Sequence, residues 1–152
     1  MSALQPWKRD KSMNVPIPEL IKSAIVARNK AYAPYSNYLV GAAVLTNDDR
    51  IYSGINIENA SYGASNCAER TAIFKAVSEG NTKIKAIAVV GGAKDKEITG
   101  FAHPCGICRQ VMREFCLSPD EFVIIVARNE DAYRTFTLNE LLPASFGPEK
   151  LL

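Results

Sequence analysis

The sequence predicts an α/β fold in three layers, a mixed five-stranded sheet with helices on both faces. Three observations predict it. Five short segments that read as strands are interspersed with segments whose apolar residues recur at helical spacing, a pattern that packs helices against a sheet. One run, Tyr38 to Leu45, is apolar at both alternating positions, as a strand covered on two sides should be. The 152 residues, 47% of them hydrophobic, suit one core better than two.

Residues 1–14 are polar and irregular and are expected to form a flexible tail, leaving 15–152 as a single domain. From Pro18 to Ala33, the residues Leu20, Ile21, Ala24, Ile25, Ala27, Ala31 and Tyr32 recur at helical spacing. Pro18 suits a first helical turn and Pro34 ends the run. Arg28 interrupts this stripe, and its stem is expected to lie along the apolar surface with the charge in water. Tyr38 to Leu45 and Ile51 to Ile57 read as strands joined by the turn Asn47-Asp48-Asp49, hence a hairpin. Glu58 to Asn66 reads as a loop. Cys67 to Ser78 reads as a helix stopped by Gly80, with Ala72, Ile73, Ala76 and Val77 inward. Ile84 to Val90 is the next strand, closed by Gly91-Gly92, and a loop charged from Lys94 to Glu97 runs on to Pro104. Cys105 to Phe115 reads as a helix with Ile107, Val111 and Phe115 on one face. Phe122 to Ala127 and Tyr133 to Phe136 complete the strands. Thr137-Leu138-Asn139-Glu140 matches a capping box before a short last helix.

Charge excludes some classes of function. Eighteen basic and 16 acidic residues leave a net charge of +2, and no basic stripe follows any element, so nucleic acid is not an expected partner. No apolar stretch approaches the ~20 residues of a membrane span. Met1 to Pro16 lacks the apolar centre of a secretory signal, so a cytoplasmic protein is expected. Four cysteines in a reducing compartment favour metal binding or catalysis over disulfides.

The chemistry concentrates in Cys67-Ala68-Glu69 and Pro104-Cys105-Gly106-Ile107-Cys108. Cys105 and Cys108, three residues apart on a first helical turn, place both sulfurs on one side. Cys67 begins a different helix. Three thiolates leave the fourth position of a tetrahedral Zn(II) for water, the pattern of a catalytic rather than a closed structural site. Glu69, two residues from Cys67, can reach that water without being a ligand, and helix N-termini help hold the thiolates ionised. Arg70 adjoins Glu69 on the same turn and is expected to donate hydrogen bonds to the thiolates, draining charge from the metal. Cys116 lies about 12 Å beyond Cys108 along the helix, too far to share an ion, and is expected to be a buried free thiol. His103 precedes Pro104, where a loop backbone role is expected rather than ligation. The alternative is a structural zinc module, which has no need of Glu69.

An acidic residue two positions after the first ligand, followed downstream by Pro-Cys-x-x-Cys, is the signature of zinc-dependent deaminases. In detail the sequence resembles the small tetrameric cytidine deaminases. The likeness runs from about Ile21 onward, through Ala33-Pro34-Tyr35-Ser36, Val40-Gly41-Ala42-Ala43 and Asn56-Ile57-Glu58-Asn59-Ala60. It continues through Cys67-Ala68-Glu69-Arg70-Thr71-Ala72, Pro104-Cys105-Gly106, Cys108-Arg109-Gln110, Glu140-Leu141-Leu142-Pro143 and Phe146-Gly147-Pro148. His103 departs from it, standing where serine or threonine is common. The resemblance implies one zinc per subunit on Cys67, Cys105 and Cys108, with Glu69 as the proton shuttle. It implies that Asn56 and Glu58 bind the ribose, that the backbone of Ala68 touches the base, and that Tyr38, Tyr62 and Phe146 line a site shared between subunits of a homotetramer. The implied reaction is hydrolysis of cytidine and deoxycytidine to uridine and deoxyuridine plus ammonia, a step of pyrimidine salvage. A deaminase of a cytosine-containing antibiotic or of polynucleotide cytosine is the alternative within the same chemistry.

Overall fold

The computed structural model describes residues 14–152. The tail expected over residues 1–14 therefore lies, but for Asn14, outside the described residues. Among the described residues the helix α1 (Ile17–Arg28) is followed by the hairpin β1 (Tyr38–Thr46) and β2 (Ile51–Ile55), then by α2 (Ala68–Ser78) and β3 (Ile84–Ala93). The chain continues through α3 (Gly106–Phe115), β4 (Val123–Asn129), β5 (Ala132–Thr137) and α4 (Leu138–Leu141). The five strands form one sheet in the order β2-β1-β3-β4-β5. Only β3 and β4 run parallel, so the sheet is mixed, as expected.

Strand alternation divides the core between the two faces. On one face Ala43, Leu45, Ala86, Ala88, Val90, Ile125 and Ala127 pack against Leu20, Ile21 and Ala24 of α1. On the other, Ala42, Val44, Ile87, Val89, Ile124 and Val126 meet Ala72, Ile73 and Ala76 of α2, Cys108 and Met112 of α3, and Leu138 of α4. Two glycines allow the closest approaches. A Cβ on Gly41 would overlap the Ala24 carbonyl and the Arg28 backbone, and one on Gly54 would lie 2.7 Å from the Ala68 carbonyl oxygen. The second contact seats the first turn of α2 directly on β2.

Several boundaries differ from the sequence expectation for identifiable reasons. The first helix stops at Arg28 rather than at Ala33, because Tyr32 leaves the helix to form an extended bridge with Ile57. Tyr32 N–H donates to Asn56 O at 3.0 Å and Glu58 N–H to Tyr32 O at 2.8 Å, so hydrogen bonds across the fold replace those along the helix. The Arg28 guanidinium is not in water. It donates to the carbonyls of Leu39 (3.0 Å), Gly92 (2.8 Å) and Ala93 (3.1 Å) at the ends of β1 and β3. Strand β3 does not close at Gly91-Gly92 but runs through them to Ala93, because both glycines pair with β1. On α3 the buried stripe is Cys108 and Met112. Val111 and Phe115 are half-buried, and Ile107 points to solvent, 62% exposed. The Thr137 hydroxyl oxygen accepts from Glu140 N–H at 3.2 Å, as the capping box requires.

Candidate active site

Strand register gathers the candidate residues at one end of the sheet. The start of β1 lies beside the end of β3, with Tyr38 opposite Ala93, and the end of β2 lies near the start of β1, with Ile55 opposite Gly41. Tyr38 thus lies beside the point where the chain leaves β3 for α3, and Asn56 and Glu58 bond to the backbone just before and at the start of β1. This is the carboxyl end of the parallel pair β3 and β4, where open α/β sheets usually place their ligands. A groove of ≈ 490 Å³ lined by Ile84, Leu117 and Phe122 lies at the opposite end and holds none of the candidate residues.

Cys67 and Cys105 are the N-cap residues of α2 and α3, both in extended backbone conformation, and Cys108 lies in the first turn of α3. The three sulfurs lie within 4.8 Å of one another, with Cys67 Sγ to Cys105 Sγ at 3.8 Å and Cys105 Sγ to Cys108 Sγ at 3.5 Å. A tetrahedral zinc with Zn–S bonds of about 2.3 Å needs sulfurs about 3.8 Å apart, so the donor set and its spacing fit that ion. His103 is exposed and outside this cluster, its ring 5.6 Å from that of Phe136. Cys116 is buried and apart from the cluster, its thiol donating to Arg113 O at 3.4 Å, and burial raises its pKa.

Glu69 is buried, only 4% exposed. Burial, followed by the charge of Cys67, pushes its carboxyl up to about 7. Arg70 Nη2, from the same first turn as Glu69, donates to Cys67 Sγ at 3.4 Å. Hydrogen bonding from the Cys108 thiol lowers Cys67 to about 5 against the opposing effect of burial, and Arg70 adds to the lowering. The same thiol pair raises Cys108, because the proton shared between the two sulfurs stays on it. Burial opposes the Arg70 charge, but hydrogen bonds to Cys67 and Cys108 outweigh it and raise the guanidinium pKa. Thiolate charge and a fixed cation therefore stand together beside a buried acid.

Asn56 and Glu58 both serve the backbone around this end of the sheet. Asn56 Oδ1 accepts from Val40 N–H at 2.9 Å while its Nδ2 donates to Tyr38 O at 2.8 Å. Glu58 Oε1 accepts from Tyr35 N–H at 3.0 Å and Ser36 N–H at 3.1 Å. Hydrogen bonding from Ser36 chiefly, with the Tyr35 amide, holds the carboxyl below its usual range. These two amides were not singled out from sequence, since a main-chain donor leaves no mark on residue identity. Ala68 is buried at the start of α2. Tyr38, Tyr62 and Phe146 are 42%, 76% and 59% exposed. The Tyr62 ring meets Tyr35 edge-on at 5.9 Å. The segment carrying Phe146 is tied to α3: Gln110 Nε2 donates to Phe146 O at 2.8 Å and Arg113 Nε to Ser145 Oγ at 2.9 Å.

The chain is similar to known proteins. Residues 17–125 match the family model described as the cytidine and deoxycytidylate deaminase zinc-binding region. The chain is 48% identical over 132 residues to a cytidine deaminase of Halalkalibacterium halodurans, covering 87% of this chain and 95% of that one. It is 43% identical over 137 residues to a probable cytidine deaminase of Dictyostelium discoideum, covering 88% of each. The crystal structure of a cytidine deaminase from Burkholderia pseudomallei aligns with a TM-score of 0.74 at 47% identity, over 84% of this chain and 97% of that one. The thiol cluster, the buried acid beside it, the sheet order and these likenesses agree, and the chain belongs to the cytidine and deoxycytidylate deaminase family.

Proposed function

We propose that the chain hydrolyses cytidine and deoxycytidine to uridine and deoxyuridine with release of ammonia. The observation that carries this reading is the buried carboxyl of Glu69 beside three convergent thiols. Cys67, Cys105 and Cys108 would hold one zinc per chain. Bound there, zinc would supply a water acidified from a pKa of 15.7 toward about 7. Glu69 takes a proton from the attacking water and delivers it to N3 of the ring as oxygen adds to C4. It then takes the proton of the new C4 hydroxyl and passes it to the amino group, so that the C4–N bond breaks, ammonia leaves and the oxygen becomes the carbonyl of the product. A carboxyl raised to about 7 suits a group that must act first as base and then as acid near neutral pH.

Around the reacting centre, Asn56 and Glu58 bind the ribose hydroxyl. The ionised Glu58 favours a hydroxyl donor and repels a phosphate. The Ala68 backbone meets the base, and Tyr38, Tyr62 and Phe146 form the walls. Because Tyr62 and Phe146 are more than half exposed in one chain, the site is completed by neighbouring copies in a homotetramer. Nearly balanced charge supports a free nucleoside substrate rather than nucleic acid. Among the described residues no helix is long and apolar enough to cross a membrane. We place the enzyme in the cytoplasm, in pyrimidine salvage.

The test is metal analysis of purified protein and two variants. Wild type is expected to carry one zinc per chain, Cys105→Ala to lose zinc and activity, and Cys116→Ala to keep both. Full activity in metal-free protein would overturn the reading.

A further inference from the structure

The three candidate ligands are held in different ways. Cys108 is buried at 0% exposure, and the Cys67 thiolate is held by Arg70. Cys105 is exposed, and its sulfur meets those of Cys67 (3.8 Å) and Cys108 (3.5 Å) without the packing that encloses Cys108 or the guanidinium that holds Cys67. Its orientation depends on the two peptide groups that flank it, and both end on one residue. Arg109 N–H donates to Cys105 O at 3.0 Å as the first helical bond of α3. Its side chain turns back, and Nε donates to Pro104 O at 2.7 Å. The carbonyls before and after Cys105 are therefore both bonded to Arg109, which pins the backbone torsions on either side of the Cα that carries the ligand sulfur. A further arm, Nη1, donates to Leu141 O at 2.7 Å, at the end of α4. That helix is anchored by Leu138, which is fully buried in the core around α2 and α3. The guanidinium thus spans two carbonyls, that of Pro104 before the ligand and that of Leu141 on α4.

We infer that Arg109 is a positioning residue for the metal site, bracing the exposed ligand Cys105 against α4 so that its sulfur is presented in the same place as those of Cys67 and Cys108. The inference rests on the reading that the three thiols hold zinc. Lysine cannot replace it: a single ammonium on a flexible stem lacks the planar fork that reaches Pro104 and Leu141 together.

The experiment follows the transfer of zinc from loaded protein to a chelating dye, for wild type, Arg109→Lys, Arg109→Gln and Arg113→Lys. Groups that orient metal ligands are commonly worth 10–100-fold in metal affinity. Both Arg109 variants are expected to release zinc at least about tenfold faster. Cobalt-substituted protein should show a weakened thiolate-to-cobalt absorption in the same two variants. Arg113→Lys alters a guanidinium on the same helix that holds the 145–149 segment, and is expected to release zinc at the wild-type rate. Wild-type release and an unchanged cobalt spectrum in Arg109→Lys would overturn the inference, as would equal acceleration in Arg113→Lys. Should neither Arg109 variant fold, the Arg109 Nε–H resonance of zinc-loaded wild type decides. Slow exchange with solvent supports the brace, and rapid exchange contradicts it. Wild-type protein that binds no zinc would instead sink the metal reading itself.

Discussion

Glu69 is a carboxyl in an apolar enclosure, bordered by thiols and a guanidinium, and its environment sets its chemistry. Burial chiefly, then the Cys67 charge, raises it to about 7, which suits the proton exchange proposed for it near neutral pH. Glu69→Gln keeps the volume and removes the proton carrier. Zinc content is expected to stay near wild type while kcat falls by at least ~10²-fold, measured by elemental analysis and steady-state kinetics on one preparation. Turnover within a few-fold of wild type would remove Glu69 from the mechanism. At this scale much was legible. Cys67, Glu69, Cys105 and Cys108 announce themselves by residue type and spacing, and Arg70 by adjacency. What was not legible is carried by main-chain atoms. The amides of Tyr35 and Ser36 on Glu58, and the carbonyls held by Arg28, have no signature in side-chain identity.

The elements matter through where their ends fall. Both N-cap cysteines stand at helix starts, and the start of α2 is set by its contact with Gly54 of β2. A methyl group there would push against the backbone of Ala68 and Ala72 and displace the turn that carries Glu69. Gly54→Ala is expected to cost roughly 1–3 kcal/mol of stability, the usual range for overpacking, and to lower zinc content and kcat together. Thermal melting at equal chain concentration and metal analysis check this. A variant with lower stability but unaltered zinc and turnover would show that the seat of α2 does not control the site. Among the described residues the strands β1 to β4 and the helices α1 to α3 were readable from apolar pattern, because each lies against a core that demands it, while α4 was readable from its capping box. Their ends were less readable where the backbone finds partners far along the chain. Tyr32 fits a helical stripe yet pairs with Ile57, and Gly91-Gly92 read as a stop yet continue β3.

The molecule as one chain leaves its proposed site open. Tyr35, Tyr62 and Phe146 are each more than half exposed around the same function, an expensive arrangement for an isolated domain and an ordinary one for a surface that meets another copy. Light scattering is expected to give a mass near four chains at working concentration. Removal of residues after Pro143 should damage activity more than stability, since the segment is tied to the exposed side of α3 by Gln110 and Arg113. A fully active monomer would contradict the shared site. A homotetramer is expected only through family resemblance, because composition and periodicity describe how a chain covers its own core and not what meets its surface. The central claim is that zinc-activated water and Glu69 deaminate a free nucleoside. One absorbance assay tests it most directly, comparing kcat/KM for cytidine, deoxycytidine, cytidine monophosphate and a cytosine-containing oligonucleotide on the same zinc-loaded enzyme. Both nucleosides are expected to be converted, with the monophosphate and the oligonucleotide far slower. No turnover of cytidine, or a monophosphate or oligonucleotide that proves the better substrate, would contradict the account.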